Sequence, residues 1–234
     1  MERVDALKAA EMFIHKYYPD CTAALLAGSV VRGEATETSD LDIIVFDDDK
    51  GPYRESVIAF DWPVEVFVHN KTSYQSFFES DIERARPSLL RMISEGIVLI
   101  DAEIVQIVKQ QADELLKKGP APWSEQTLRT KRYMLTDALD DFQGSTDEAE
   151  AIFIANTLAD RLHEFFLRTN GRWIGDSKWV VRALREFDPV FTDRFVTVFD
   201  EFYRTRNKHA VIELVEEVLT PFGGRLFEGY SVGK

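Results

Sequence analysis

The residues with the most chemical potential lie early in the chain. Gly28-Ser29 follows the apolar run Ala23-Ala24-Leu25-Leu26-Ala27, and Asp40-Leu41-Asp42 opens a second one, Ile43-Ile44-Val45-Phe46. Side chains alternate along an extended strand, so Asp40 and Asp42 point one way while Leu41 and Ile43 point the other. Two carboxylates one strand repeat apart, facing a small Gly-Ser turn, offer oxygen donors to a hard divalent cation. Mg²⁺ takes one or two carboxylates and fills its remaining positions with substrate phosphates and water. Backbone N–H groups and the Ser29 hydroxyl at such a turn can hold phosphate oxygens. No Gly-Lys-Ser/Thr follows Gly28, so the turn is not a Walker loop. An isolated Asp-x-Asp carries little weight, because an acidic turn feeding a buried strand supplies one.

Strands must hold these groups. The pattern predicts strands over Cys21 to Ala27, Leu41 to Phe46 and Val64 to His69. A short helix start is expected after Ser29, up to Gly33, and Asp47-Asp48-Asp49 before Lys50-Gly51-Pro52 reads as a solvated turn. In the third strand, Val64, Val66 and Val68 share the buried face, and Glu65, Phe67 and His69 share the other. By spacing alone Glu65 is an outward-facing strand glutamate, and His69, which could lie at the edge of a cleft, reads first as a structural strand-end residue. An amphipathic helix over residues 3–18 buries Val4, Leu7, Ala10, Ile14 and Tyr17, and shorter helical pieces are expected over 72–78 and 88–94. Gly96 to Asp101 is a short strand. Asp101 is placed to cap a helix with Ile104, Val108, Ala112 and Leu115 on one face, ending at Lys117-Lys118-Gly119.

Pro120-Ala121-Pro122-Trp123 marks a domain boundary, giving residues 1–119 and 120–234. The first half mixes strands and helices, and the second reads as helix. Ser124 caps a helix through Phe142, and another runs from Asp147 to Thr169. Further helices are expected from Asp176-Ser177 to Phe187, near Phe191 to Tyr203, and near Lys208 to Leu219. Five helices with short connections imply an up-and-down bundle.

Composition bounds the partners. The 234 residues include 45 % hydrophobic ones, a globular composition. The net charge of −13 disfavours a long nucleic-acid partner, whose binding needs Lys and Arg against phosphate, and favours a cationic co-substrate. No apolar run reaches membrane-spanning length, residues 1–5 do not open a signal peptide, and the single cysteine, Cys21, fits a cytoplasmic setting.

At Gly28, Ser29, Asp40 and Asp42 the chain resembles the polymerase-β-like nucleotidyltransferases, and Arg32-Gly33 and Ser39 match small bacterial members of that superfamily. The resemblance implies an α+β fold, with a small mixed sheet flanked by helices followed by an all-α bundle that completes the substrate cleft. It makes Glu65 the third carboxylate, either a ligand of a second metal or the acceptor of a hydroxyl proton. The order of the two halves, and the segment Arg168 to Phe187, are similar to aminoglycoside and lincosamide nucleotidyltransferases. By that similarity Lys178 reaches the nucleotide phosphates. The implied catalytic and metal residues are Asp40, Asp42 and Glu65; the implied nucleotide-binding residues are Gly28, Ser29, Arg32, Ser39 and Lys178. The implied cofactors are two Mg²⁺ ions with ATP or another nucleoside triphosphate, and the acceptor is a small cationic molecule such as an aminoglycoside antibiotic. AMPylation of a protein partner and nucleotide binding without turnover are the competing readings. No membrane or nucleic-acid partner is expected.

Overall fold

The computed structural model describes residues 3–233; Met1, Glu2 and Lys234, the ends of the two expected domains, lie outside the described residues. The chain divides into two compact units, Met1–Gly119 and Pro120–Lys234. No helix among the described residues is long and apolar enough to cross a membrane.

The first unit is built on a five-stranded sheet of β1 (Ala23–Ala27), β2 (Leu41–Phe46), β3 (Tyr53–Ala59), β4 (Trp62–His69) and β5 (Ile97–Ile100), in the order β3-β4-β2-β1-β5. β2 and β4 run parallel; the other neighbours are antiparallel, so the sheet is mixed. α1 (Ala6–Tyr17) buries Ala9, Ala10, Phe13 and Ile14. These pack in one cluster with Ala24, Leu26, Leu41, Ile43, Val45, Val64, Val66 and Val68. This sheet face is wholly apolar, each strand giving it every second residue. The expected helix is thus present, but its buried stripe is rotated: Leu7 and Tyr17 are exposed, while Ala9 and Phe13 take the inner positions.

The opposite face carries Ala23, Leu25, Ala27, Asp42, Ile44, Phe46, Glu65, Phe67 and His69. One end is apolar: Phe46 lies against Tyr74 of α2 (Ser73–Arg84) and against His69, whose ring also meets Phe77. Burial pulls the His69 pKa down to about 4, so this histidine is a neutral packing residue. The other end is acidic, and it holds the candidate site.

Asp81 ties α2 to α3 (Ser88–Glu95). Its carboxylate is 2 % exposed and accepts from the Leu89 N–H (2.7 Å), the Leu90 N–H (3.1 Å) and the Arg84 guanidinium (3.0 Å). It caps α3 from a distance, since Pro87 at the N-cap makes no side-chain cap bond. α4 (Glu103–Lys118) begins without help from Asp101: the N-cap is Ala102, again with no side-chain bond.

Among the described residues, the second unit holds five α-helices: α5 (Glu125–Gly144), α6 (Glu148–Thr169), α7 (Lys178–Phe187), α8 (Pro189–Thr205) and α9 (His209–Leu219). Ser124 caps α5 as the sequence predicts, and Asp147 caps α6. α8 starts two residues before Phe191, with Asp188 as cap and Pro189 at the first turn, where a missing N–H costs nothing. α6 packs against each of the other four helices, and consecutive helices pack on one another.

Asp81→Ala leaves two buried N–H groups unpaired, so it should destabilise the protein by about 2–3 kcal/mol. The urea midpoint measures this, and an unchanged midpoint would contradict the capping role.

Candidate metal and nucleotide site

Strand register brings the carboxylates together. Asp42 pairs with Ala27 of β1 on one side and with Glu65 of β4 on the other. Parallel pairing of β2 with β4 therefore sets Glu65 beside Asp42 on the same face, and Asp40 sits one strand repeat before Asp42. Each of the three offers an oxygen, and these atoms lie within 4.8 Å of one another. All three residues are half-buried.

Gly28 is required here twice. Its φ is +79°, a conformation that side chains disfavour, and a Cβ at this position would stand 2.0 Å from Asp42 Oδ2. The Asp42 carboxylate thus lies directly on the glycine backbone, which explains why this turn faces this aspartate. Ser29 follows, 9 % exposed, and its Oγ donates to Ser39 Oγ at 3.1 Å. Ser39 Oγ in turn accepts from the Thr36 N–H at 2.8 Å. The two serines close the loop between β1 and β2 and set the approach of Asp40. Residues 29–33 form turns, not the expected helix start; the Glu34 N–H reaches back to the Ser29 carbonyl at 3.0 Å.

Arg3 holds the same loop from outside. Its guanidinium donates to the Ser39 and Glu37 carbonyls and to the Asp61 carbonyl, and it lies 3.4 Å over the Trp62 ring. Arg32 is engaged by Glu34 and by Glu95 of α3, each at 3.1 Å, so its charge is shared with those carboxylates. Lys178 opens α7 in the second unit, after Ser177 at φ 50°.

Arg54, on the edge strand β3, is a site residue that the sequence reading missed. Its Nη2 donates to Glu65 Oε2 at 2.5 Å, and its guanidinium lies 5.1 Å from the Phe67 ring. β3 went unread because the turn joining it to β4 uses Phe60 and Asp61, both at positive φ, where Asn-Gly is the usual signature. The β-branched pair Val57-Ile58 just before Val64 was the available clue.

Electrostatics follow from the crowding. Burial, then the charges of Asp40 and Glu65, push the Asp42 pKa up to about 6, while Arg32 and Arg54 pull it down. Three carboxylates that resist sharing a half-buried space suit a divalent cation, and an all-oxygen donor set suits Mg²⁺ or Mn²⁺ over softer-ligand metals. The residues present therefore fit such an ion.

A match to a family of known proteins covers the residues of this site. Residues 10–100 match the family described as nucleotidyltransferase domain. The N-terminal unit carries a nucleotidyltransferase domain. The match spans β1, β2 and β4 and so contains Gly28, Ser29, Asp40, Asp42 and Glu65. Among solved structures the chain is similar to a nucleotidyltransferase-like protein from Exiguobacterium sibiricum 255-15. The identity is 13 %, over 92 % of this chain and 74 % of that one, with a TM-score of 0.49. No curated protein matches the chain.

A raised carboxyl pKa means that the folded state binds a proton the unfolded chain has released. The metal-free protein should therefore lose stability as pH rises from about 4 through about 6, and hold level above that. Asp42→Asn should remove this slope and raise metal-free stability at pH 7.5 by about 3 kcal/mol, the shift from 3.8 to about 6 taken at about 1.4 kcal/mol per pKa unit. Melting curves across pH measure it; a variant less stable than wild type at pH 7.5 would contradict the crowding.

Proposed function

We propose that the protein is a nucleotidyltransferase in the strict sense, moving a nucleoside monophosphate from a triphosphate to a hydroxyl of a small, cationic acceptor with release of pyrophosphate. The observation that carries this reading is the convergence of Asp40, Asp42 and Glu65 within 4.8 Å, against the Gly28 turn. Asp40 and Asp42 would hold divalent cations, with Glu65 completing the oxygen set. A bound ion would neutralise the triphosphate and act as a Lewis acid at its α-phosphate.

The chain's own groups supply positioning and charge. The Ser29 hydroxyl and the N–H groups of the Gly28-Ser29 turn are assigned to the β- and γ-phosphates. Ser39 keeps Ser29 oriented through the hydroxyl contact at 3.1 Å. Arg32 adds positive field beside Asp42, and Lys178 is assigned to the phosphates on the resemblance alone. In the reaction, the acceptor oxygen forms a bond to the α-phosphorus and the bond to the bridging oxygen breaks. Pyrophosphate leaves with that electron pair, and the hydroxyl proton is released to solvent water. Such transfer asks mainly for alignment and charge neutralisation. ATP is the preferred donor by resemblance. The net charge of −13 favours a polycationic acceptor of the aminoglycoside class.

Pyrophosphate release from ATP with Mg²⁺, measured across a panel of aminoglycosides, tests the reading. Wild type should release pyrophosphate with at least one drug, Asp42→Asn should lose about a hundredfold or more, and Lys178→Ala should raise the KM for ATP. Wild-type turnover in Asp42→Asn would contradict the assignment of the carboxylates. Transfer of AMP only to a co-purified protein would replace the acceptor reading with protein AMPylation.

A further inference from the structure

β3 forms one edge of the sheet, and Arg54 projects from it onto the face that carries the three carboxylates. In the β3–β4 register Arg54 stands opposite Phe67, so Glu65 is its diagonal neighbour. The guanidinium lies by the Phe67 ring and closes on Glu65 Oε2 at 2.5 Å. The side chain of Arg54 is 60 % exposed and that of Glu65 is 24 % exposed. Glu65, Asp42 and Asp40 all hold the Arg54 guanidinium in its charged form, the hydrogen bond it donates to Glu65 contributing most. One of the three oxygen donors that a cation needs is therefore already occupied by a monovalent counter-ion belonging to the chain.

We infer that Arg54 is an internal counter-ion that occupies Glu65 in the metal-free protein and must release it for the third carboxylate to join a divalent cation. The inference rests on the metal reading of the site. Its physical basis is competition: guanidinium and metal seek the same carboxylate oxygens, and Glu65 cannot fully satisfy both. The pair suits a release step. It lies at a sheet edge open to solvent, where ion pairs are weak and salt-screened, and the freed guanidinium can be hydrated. Arg54 is thus a positioning residue that sets how much divalent cation is needed to load the site. It also keeps the three crowded carboxylates partly neutralised until then.

The test is Mn²⁺ affinity of the nucleotide-free full chain, followed by the electron paramagnetic resonance of free Mn²⁺ at low ionic strength. Wild type, Arg54→Gln, Arg54→Met, Glu65→Gln and the Arg54→Gln/Glu65→Gln double variant are compared, with melting curves confirming that each is folded. The methionine keeps an apolar stem beside Phe67. Arg54→Gln and Arg54→Met should bind Mn²⁺ about three- to tenfold tighter than wild type, the scale of one released exposed pair plus one removed repulsive charge. With Glu65 already replaced, Arg54→Gln should change the affinity by less than about twofold, because the contest is for that carboxylate. Unchanged or weaker binding in both Arg54 variants overturns the inference while leaving the metal centre standing. So does an equal gain in the Glu65→Gln background, which would reduce Arg54 to a distant repulsive charge. Mn²⁺ binding by none of the proteins, wild type included, overturns the metal reading and this inference together.

Discussion

Three carboxylates held within 4.8 Å of one another in a half-buried space repel, and much of the first unit is arranged around that repulsion. The sheet leaves them no retreat. Asp42 is fixed between Ala27 and Glu65 by the ladders on both sides, and its carboxylate lies on the backbone of Gly28. Loss of solvent and neighbouring charge then push its pKa to about 6. Two arginines moderate the field: Arg32, shared with Glu34 and Glu95, and Arg54, bonded to Glu65. A cluster kept at some cost in stability fits a cation there, as the proposed function requires.

The stability that offsets this cost lies on the other side of the sheet. There the alternate residues of β1, β2 and β4 meet α1 in an uninterrupted apolar layer, with Ile43, Val45, Val64, Val66 and Val68 almost fully buried. A shift of one residue in β2 or β4 would turn valines and isoleucines to the acidic face and carboxylates into the core. The packing on one face thereby fixes the position of the chemistry on the other. The loop that carries Ser39 is fixed separately, by the Ser29–Ser39 contact and by Arg3.

Much of this was legible in the sequence, for identifiable reasons. β2 is apolar from Ile43 to Phe46, with Asp42 next to its first residue and polar residues before and after it, and its bounds follow from that contrast. Ser124 announces its helix because a cap residue directly precedes a periodic stretch. Asp101 gave the same signal falsely: α4 starts one residue after Ala102, without a side-chain cap. β3 was hidden because its inward and outward residues are both largely exposed at a sheet edge, so Tyr53-Arg54-Glu55-Ser56 shows no buried stripe. With it went Arg54. Asp40 and Asp42 were legible together with Gly28-Ser29, not from the Asp-x-Asp alone. Glu65 was not, since its meaning comes from a parallel pairing between strands well apart in the chain. Residues 29–33 proved to be turns because the Ser29 carbonyl is taken by the Glu34 N–H.

The most direct test of the central claim is diffraction from crystals soaked with Mn²⁺ and a non-hydrolysable ATP analogue. The account predicts an anomalous peak at inner-sphere distance from carboxylate oxygens of Asp40 and Asp42, with the triphosphate running toward Gly28 and Ser29. A peak elsewhere, or nucleotide bound with those two carboxylates turned away from any metal, would contradict it.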